Sequence, residues 1–193
     1  MRTLAALALL PFLQDKDTGE QYYKFKVGTS WTLAQRDTQG ENVKETTIDL
    51  KVLKEDGGKI HLESKETKAD GKTKDTTLVW WSEDGALLWG EMKGDEVKAE
   101  LRFYKLGSKK GDTWDASAGS GGPPNAKATH MGTTEVKVPA GTYKDALHVQ
   151  ITMEGGVINM YWGPNVGILK MEGEMGGGMA KLSIELKEFK EAK

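Results

Sequence analysis

Hydrophobic and polar side chains alternate with a period of two along most of the chain after Gln14. At positions 48–52, apolar side chains at every second residue are separated by an aspartate and a lysine. The same pattern recurs near the end of the chain, at positions 181–187. Strict alternation is typical of a β-strand with one buried and one solvated face. The pattern predicts an all-β protein without a long helix.

Short glycine-containing turns separate the alternating segments. They include Asp56-Gly57-Gly58, Asp70-Gly71, Glu83-Asp84-Gly85, Ala140-Gly141 and Gly155-Gly156. Such turns favour tight hairpins, because glycine adopts the positive φ that these turns need. The spacing predicts one β domain over residues 15–193, with about ten or eleven antiparallel strands in a curved half-barrel or a sandwich.

One segment interrupts this rhythm. Residues 116–128 include the run Ser-Ala-Gly-Ser-Gly-Gly-Pro-Pro-Asn, which has no strand pattern. A domain boundary is one interpretation, but neither side is convincingly large enough for a core of its own. We therefore predict a flexible Gly/Pro-rich loop at 116–128 within a single domain.

Tryptophans recur in the chain at similar separations. Trp31 and Trp81 are 50 positions apart, and Trp114 and Trp162 are 48 positions apart. The residues around each first and each second tryptophan are also similar. This repetition predicts two similar halves that share one core, because a few strands alone cannot bury an apolar face. Chance similarity in a protein rich in Trp and Gly is the alternative.

The first residues resemble a secretory signal. Arg2 is followed by an apolar run from Leu4 to Leu10, and polar residues begin at Gln14. The run is too short for a membrane-spanning helix, which needs about 20 apolar residues. We predict a signal peptide at residues 1–14 and a mature protein exported to the periplasm or the extracellular space. A buried N-terminal helix is the alternative.

Composition narrows the possible chemistry. The formal net charge is only −2, so there is no electrostatic case for nucleic acid or an anionic membrane as a partner. The chain has no cysteine, which excludes disulfides, thiolate zinc sites and thiol catalysis.

No catalytic, phosphate-binding or dinucleotide-binding motif is present in the sequence. His61, His130 and His148 lack metal-ligand spacing and are expected to be solvent-exposed strand residues. We therefore predict no enzyme activity, no metal and no cofactor. A pair of glycosidase carboxylates distant in sequence remains an alternative, because such partners need not be neighbours in the chain.

The six tryptophans are the unusual feature of the composition. Trp80 and Trp81 are adjacent, so they must point to opposite sides of a strand. The second ring could line an apolar groove, and Trp81, Trp89 and Trp162 are the candidate ligand-binding residues. Core packing is the alternative role for these rings.

The segments Lys26–Trp31, Val138–Tyr143 and Tyr161–Gly167 resemble motifs of uncharacterised exported bacterial β-proteins, the TapB-like group. The motifs consist of turn and packing residues, so no active site carries over. In shape this group is similar to Lol-type lipoprotein carriers. What that similarity implies is a concave sheet with an apolar ligand groove.

Three functions follow as hypotheses. The first is a non-catalytic exported protein that binds a lipid or another apolar molecule on a concave sheet. The second is a structural or interaction module that binds another protein of the cell envelope. The third is a hydrolase of envelope polymers, which requires carboxylates, or a histidine and a carboxylate, facing one cleft.

Overall fold

A computed structural model describes residues 19–117 and 123–193. The predicted signal peptide at residues 1–14 lies outside the described residues. One short helix, α1 (Glu20–Tyr23), precedes twelve strands. The strands are β1 (Ser30–Gln39), β2 (Asn42–Asp56), β3 (Lys59–Lys68), β4 (Thr73–Glu83), β5 (Ala86–Lys93), β6 (Glu96–Lys105), β7 (Thr113–Asp115), β8 (Lys127–Val138), β9 (Gly141–Met153), β10 (Gly156–Gly163), β11 (Gly167–Met175) and β12 (Ala180–Lys190).

All twelve strands form one antiparallel sheet in the order β6-β5-β4-β3-β2-β1-β12-β11-β10-β9-β8-β7. Strands that follow one another in the chain pair as neighbours, apart from β6 and β7, and β1 pairs with β12. The sheet thus consists of two six-stranded halves joined along β1 and β12. The predicted all-β antiparallel fold is confirmed, but the predicted strand count was too low. The three-residue β7 is too short to show a periodicity.

The sheet curves strongly, so that its two halves face each other. Trp80 on β4 and Trp162 on β10 are six strand spacings apart along the sheet, which is about 29 Å if it were flat. Their ring centroids are only 5.6 Å apart. The fold is therefore a single curved sheet, and the alternative of a two-sheet sandwich is wrong.

Hydrogen bonds near the Gly/Pro-rich segment link the two ends of the sheet. The Arg102 N–H on β6 donates to the Ala116 carbonyl, 3.0 Å away, just after β7. The Ala116 N–H donates to the Ala126 carbonyl, and the Ser117 hydroxyl donates to the Pro123 carbonyl. Residues at both described ends of the segment are therefore hydrogen bonded, and Lys127 already belongs to β8. The flexibility predicted for this loop stays a prediction.

Aromatic side chains fill one end of the space between the halves. Trp31, Trp80 and Trp162 are all at most 1% exposed. Phe25, from the segment after α1, packs its ring 4.9 Å from Trp31 and 6.2 Å from Trp80. Gly167 has a φ of 82°, and a Cβ there would lie 3.1 Å from the Phe25 ring. The N-terminal segment therefore closes this end of the core.

The β8–β9 turn, which contains the Val138–Tyr143 motif, packs against β12. The Ala140 N–H donates to the Leu186 carbonyl over 3.0 Å. Leu186 lies beside an irregularity in the β1–β12 pairing, between Thr32 and Leu33. This hydrogen bond joins the β8–β9 turn to β12, so the motif has a packing role.

No helix in residues 19–117 or 123–193 has the length and apolar character needed to cross a bilayer.

Candidate functional site

A cavity of about 240 Å³ lies on the concave face, between β1–β5 on one side and β11–β12 on the other. Strand alternation points every second side chain of these strands into it. Nine apolar side chains line it: Leu33, Ile48, Leu50, Leu78, Trp80, Trp89, Ile168, Met171 and Ile184. Its polar lining consists of Gln35, Ser64, Glu66, Lys74, Thr76 and Glu91.

The polar lining is ordered in layers along β3 and β4. Three directly opposed pairs follow one another along this hairpin: Leu62 with Leu78, Ser64 with Thr76, and Glu66 with Lys74. Successive residues on one face of a strand are about 6.8 Å apart. The wall therefore changes from apolar, through hydroxyl, to charged over about 14 Å.

Strand β1 repeats this gradient. Leu33 is buried, Gln35 lies at the cavity wall, and Asp37 follows on the same face. The Gln35 amide N–H donates to the Asp37 carboxylate over 2.7 Å. The cavity therefore has an apolar floor near the aromatic core and a polar mouth at the opposite end of the strands.

The charged groups at the mouth have both signs. Glu66 and Glu91 carry negative charge, and Lys74 carries positive charge. The Lys93 ammonium lies 3.7 Å from the Glu91 carboxylate. The mouth can thus place polar or charged groups of a bound molecule near either sign, while the floor accepts only apolar groups.

Of the three predicted ligand-binding tryptophans, the structure places Trp89 at the cavity. Trp81 lies on the opposite face of β4, where its indole N–H donates to Glu83 over 3.1 Å and the Lys59 ammonium lies 5.6 Å from its ring. Trp162 is fully buried and stacks on Phe103, with ring centroids 4.3 Å apart. The three residues are therefore not brought together at one site.

Sequence reasoning missed Trp80 as a cavity residue. As predicted, Trp80 and Trp81 point to opposite faces, and Trp80 is the one that faces the concave side. The alternation at this point is ambiguous, because Leu78 and Trp80 on one face and Val79 and Trp81 on the other are both apolar pairs. Only packing against the other half of the sheet selects one face.

The four tryptophans that define the predicted duplication lie on corresponding strands of the two halves. Trp31 and Trp114 lie on the first strand of each half, and Trp81 and Trp162 lie on the fourth. However, Trp162 faces the main core, whereas Trp81 packs in a separate small cluster. The residue-by-residue alignment thus puts equivalent residues on opposite faces, and the duplication stays a prediction.

The three histidines lie away from the cavity. His61 and His148 are half-buried strand residues, and burial, followed by the Lys54 charge, lowers the pKa of His61. His130 is only 9% exposed, and its Nδ1 lies 3.0 Å from the Ser108 carbonyl, so the prediction of a solvent-exposed residue is wrong for it. Among the described residues, no three His, Asp or Glu side chains are grouped to hold a metal ion.

The outer face of the second half carries a closed polar network. The Lys170 ammonium lies 2.9 Å from Glu172 and 3.1 Å from Glu185, and the hydrogen bond to Glu172 is the main cause of the raised pKa of Lys170. Beside it, His148 stacks on Tyr161 with ring centroids 4.5 Å apart. These groups satisfy one another, so the network has a structural role.

No protein-family model and no curated protein sequence matches the chain. Among solved structures, a candidate exported protein of YmcC-like fold from Bacteroides fragilis NCTC 9343 is similar, with a TM-score of 0.57 and 15% identity. The match covers 88% of this chain and 99% of that protein. A candidate lipoprotein from Parabacteroides distasonis ATCC 8503 matches with a TM-score of 0.50 and 12% identity, over 88% and 98% of the two chains. The chain therefore shares its fold with these two bacterial β-proteins over most of its length.

Proposed function

We propose that the protein is an exported, non-catalytic binding protein that holds one small apolar molecule in the cavity beside Trp80 and Trp89. The observation that carries this proposal is the cavity of about 240 Å³ on the concave face, with nine apolar side chains in its lining. Protein interiors are normally close-packed, and apolar voids of this size are few. An engineered apolar cavity of about 150 Å³ in another protein holds benzene. The expected occupant is therefore one ring or one short alkyl chain.

The expected affinity follows from the apolar surface that such a molecule would bury. Each buried methylene contributes about 0.8 kcal/mol. A cavity of this volume has room for about eight groups of methylene or water size, at about 30 Å³ each. Their gross contribution of about 6 kcal/mol corresponds to a Kd of tens of micromolar. The translational and rotational freedom lost on binding lowers this affinity, and hydrogen bonds at the mouth raise it.

Export is supported by two independent observations. The pattern of Met1–Leu13 is that of a secretory signal. The two proteins that share the fold are a candidate exported protein and a candidate lipoprotein. The chain has no cysteine, so an exported form would depend on its buried core for stability.

The hydrolase hypothesis has less support from the cavity. Glu66 lies opposite Lys74, and Glu91 lies opposite Leu78, four residues further along β4. Their backbones are thus separated by about 13 Å along the strands and about 10 Å across them, or about 16 Å in all. Paired glycosidase carboxyl groups are about 5–10 Å apart, so both glutamate side chains would have to extend toward each other to form such a pair. None of the three histidines lines the cavity.

The proposal is tested by filling the cavity. Thr76 is half-buried at the cavity wall, so Thr76→Phe places a ring in the space that the ligand needs. We expect this variant to lose affinity for ethylbenzene, an apolar probe with one ring and eight carbon atoms, by more than about 10-fold, as read from tryptophan fluorescence. Wild-type protein at 100 times the probe's Kd should gain about 2.7 kcal/mol of unfolding free energy. Fluorescence titration and thermal unfolding measure the two effects.

Thr77→Phe is the matched control, because Thr77 is the next residue on β4 and points to the opposite face. It should retain the probe affinity of the wild type. Equal loss in the two variants, or no binding by the wild type, would contradict the proposed function.

A further inference from the structure

We propose that the bound molecule is an amphiphile with a single chain, and that it carries an oxygen atom held by Ser64 and Thr76. This inference rests on the proposed function and specifies the chemistry of its ligand. It is carried by the Ser64 hydroxyl, which makes no hydrogen bond to the protein, and by the order of polarity along the cavity wall.

Ser64 is a buried residue of the cavity wall. Its side chain is only 4% exposed, and it lines the cavity. In the described part of the chain its hydroxyl makes no hydrogen bond to a protein group, and it is open to the cavity rather than enclosed by the protein. By contrast, the hydroxyl of Thr29, which is also buried, accepts a hydrogen bond from the Ala192 N–H over 3.3 Å. The Ser64 hydroxyl can therefore donate a hydrogen bond to a molecule in the cavity.

Three enclosed indole N–H groups in the described residues also lack an acceptor, those of Trp80, Trp89 and Trp162, and Trp162 lies away from the cavity. The rings of Trp80 and Trp89 line the cavity, and the buried N–H of each has no acceptor within the described residues. The Trp80 ring meets Trp31 and Trp162 edge to face, and contacts of this kind offer an N–H only a weak aromatic acceptor. The indole nitrogens are enclosed by the protein, so a bound molecule does not reach them, whereas the Ser64 hydroxyl is open to the cavity. An oxygen atom on the bound molecule can therefore accept a hydrogen bond from Ser64.

The position of Ser64 in the cavity wall indicates where along the ligand its oxygen atom lies. Thr76 lies directly opposite Ser64, so the two hydroxyls form one layer of the wall. On one side of this layer lie Leu62 and Leu78, and on the other lie Glu66 and Lys74. The chain of the ligand would therefore lie toward Trp80, its oxygen at the hydroxyl layer, and any further polar group at the charged mouth. Alcohols and esters of short single-chain acyl or alkyl compounds fit this order.

The test compares three probes of one chain length: octane, which has no oxygen, 1-octanol, and methyl octanoate. Each is titrated into the wild type and into Ser64→Ala, and binding is followed by tryptophan fluorescence. We expect Ser64→Ala to lower the affinity for 1-octanol and methyl octanoate by about 3- to 10-fold, which is the range for one neutral hydrogen bond. The affinity for octane should not change. Thr76→Val, which keeps the shape of its side chain, should give a smaller loss with the same selectivity.

Ser183→Ala is the matched control, because Ser183 lies on the outer face of β12, between two residues that pack on the core. It should change none of the three affinities. Equal weakening of all three probes by Ser64→Ala, or no weakening of any, would overturn the inference while the proposed function stands. Failure of the wild type to bind any of them would overturn both.

Discussion

Replacement of Trp80 by alanine is expected to lower the free energy of unfolding by about 3–5 kcal/mol, the range for deleting a fully buried large aromatic side chain. Trp80 is 1% exposed and contacts the rings of Phe25, Trp31 and Trp162. These rings come from the N-terminal segment and from both halves of the sheet. The substitution therefore removes a contact that holds the halves together. Urea denaturation, followed by circular dichroism, measures the change in the free energy of unfolding.

Trp81→Ala supplies the control for this prediction. The two residues are neighbours on β4, but Trp81 packs in a smaller cluster on the outer face, with Val79, Ala86 and Leu88. Because Trp81 is also buried, at 6% exposed, we expect a smaller but still substantial loss of about 2–3 kcal/mol for this variant. If the two variants lost equal stability, the assignment of Trp80 to the junction between the halves would be wrong.

The strand content could be predicted because its physical cause is local. Alternation with a period of two and glycine turns specify each hairpin without reference to the rest of the chain. The curvature has no such local signal. It depends on which side chains meet across the core, such as Trp80 with Trp162, and these are 82 positions apart in the sequence. The prediction of a half-barrel or a sandwich left this open for that reason.

The candidate site likewise combines a feature that is visible in the sequence of one hairpin with a feature that depends on distant strands. The polarity gradient of one hairpin is present in the sequence, since Leu62, Ser64 and Glu66 follow at every second position of β3. That this gradient lines a cavity depends on β11 and β12, which supply the facing wall through Ile168, Met171 and Ile184. No pattern in one strand reports the distance to a facing wall. The predicted trio of tryptophans failed to converge for this reason, and Trp80 was missed.

A second large effect is expected at Phe103, on the strand β6 at the end of the sheet. Phe103 is fully buried, and its ring stacks on Trp162 with an interplanar angle of 13°. Along the sheet, β6 and β10 are eight strand spacings apart, about 38 Å if it were flat. This stack is therefore formed only when the sheet curves fully. Phe103→Ala should lower the unfolding free energy by about 3–5 kcal/mol.

Two further variants separate the stacking from simple loss of volume. Phe103→Leu keeps most of the volume, so it should cost less than about 1.5 kcal/mol. A double-mutant cycle of Phe103→Ala with Trp162→Ala should give a coupling energy of about 0.5–1.5 kcal/mol, as aromatic pairs do. The cycle is measured by urea denaturation of the two single variants and the double variant. Strictly additive losses would mean that the two rings do not meet in solution, and the curvature that joins β6 to β10 would then be wrong.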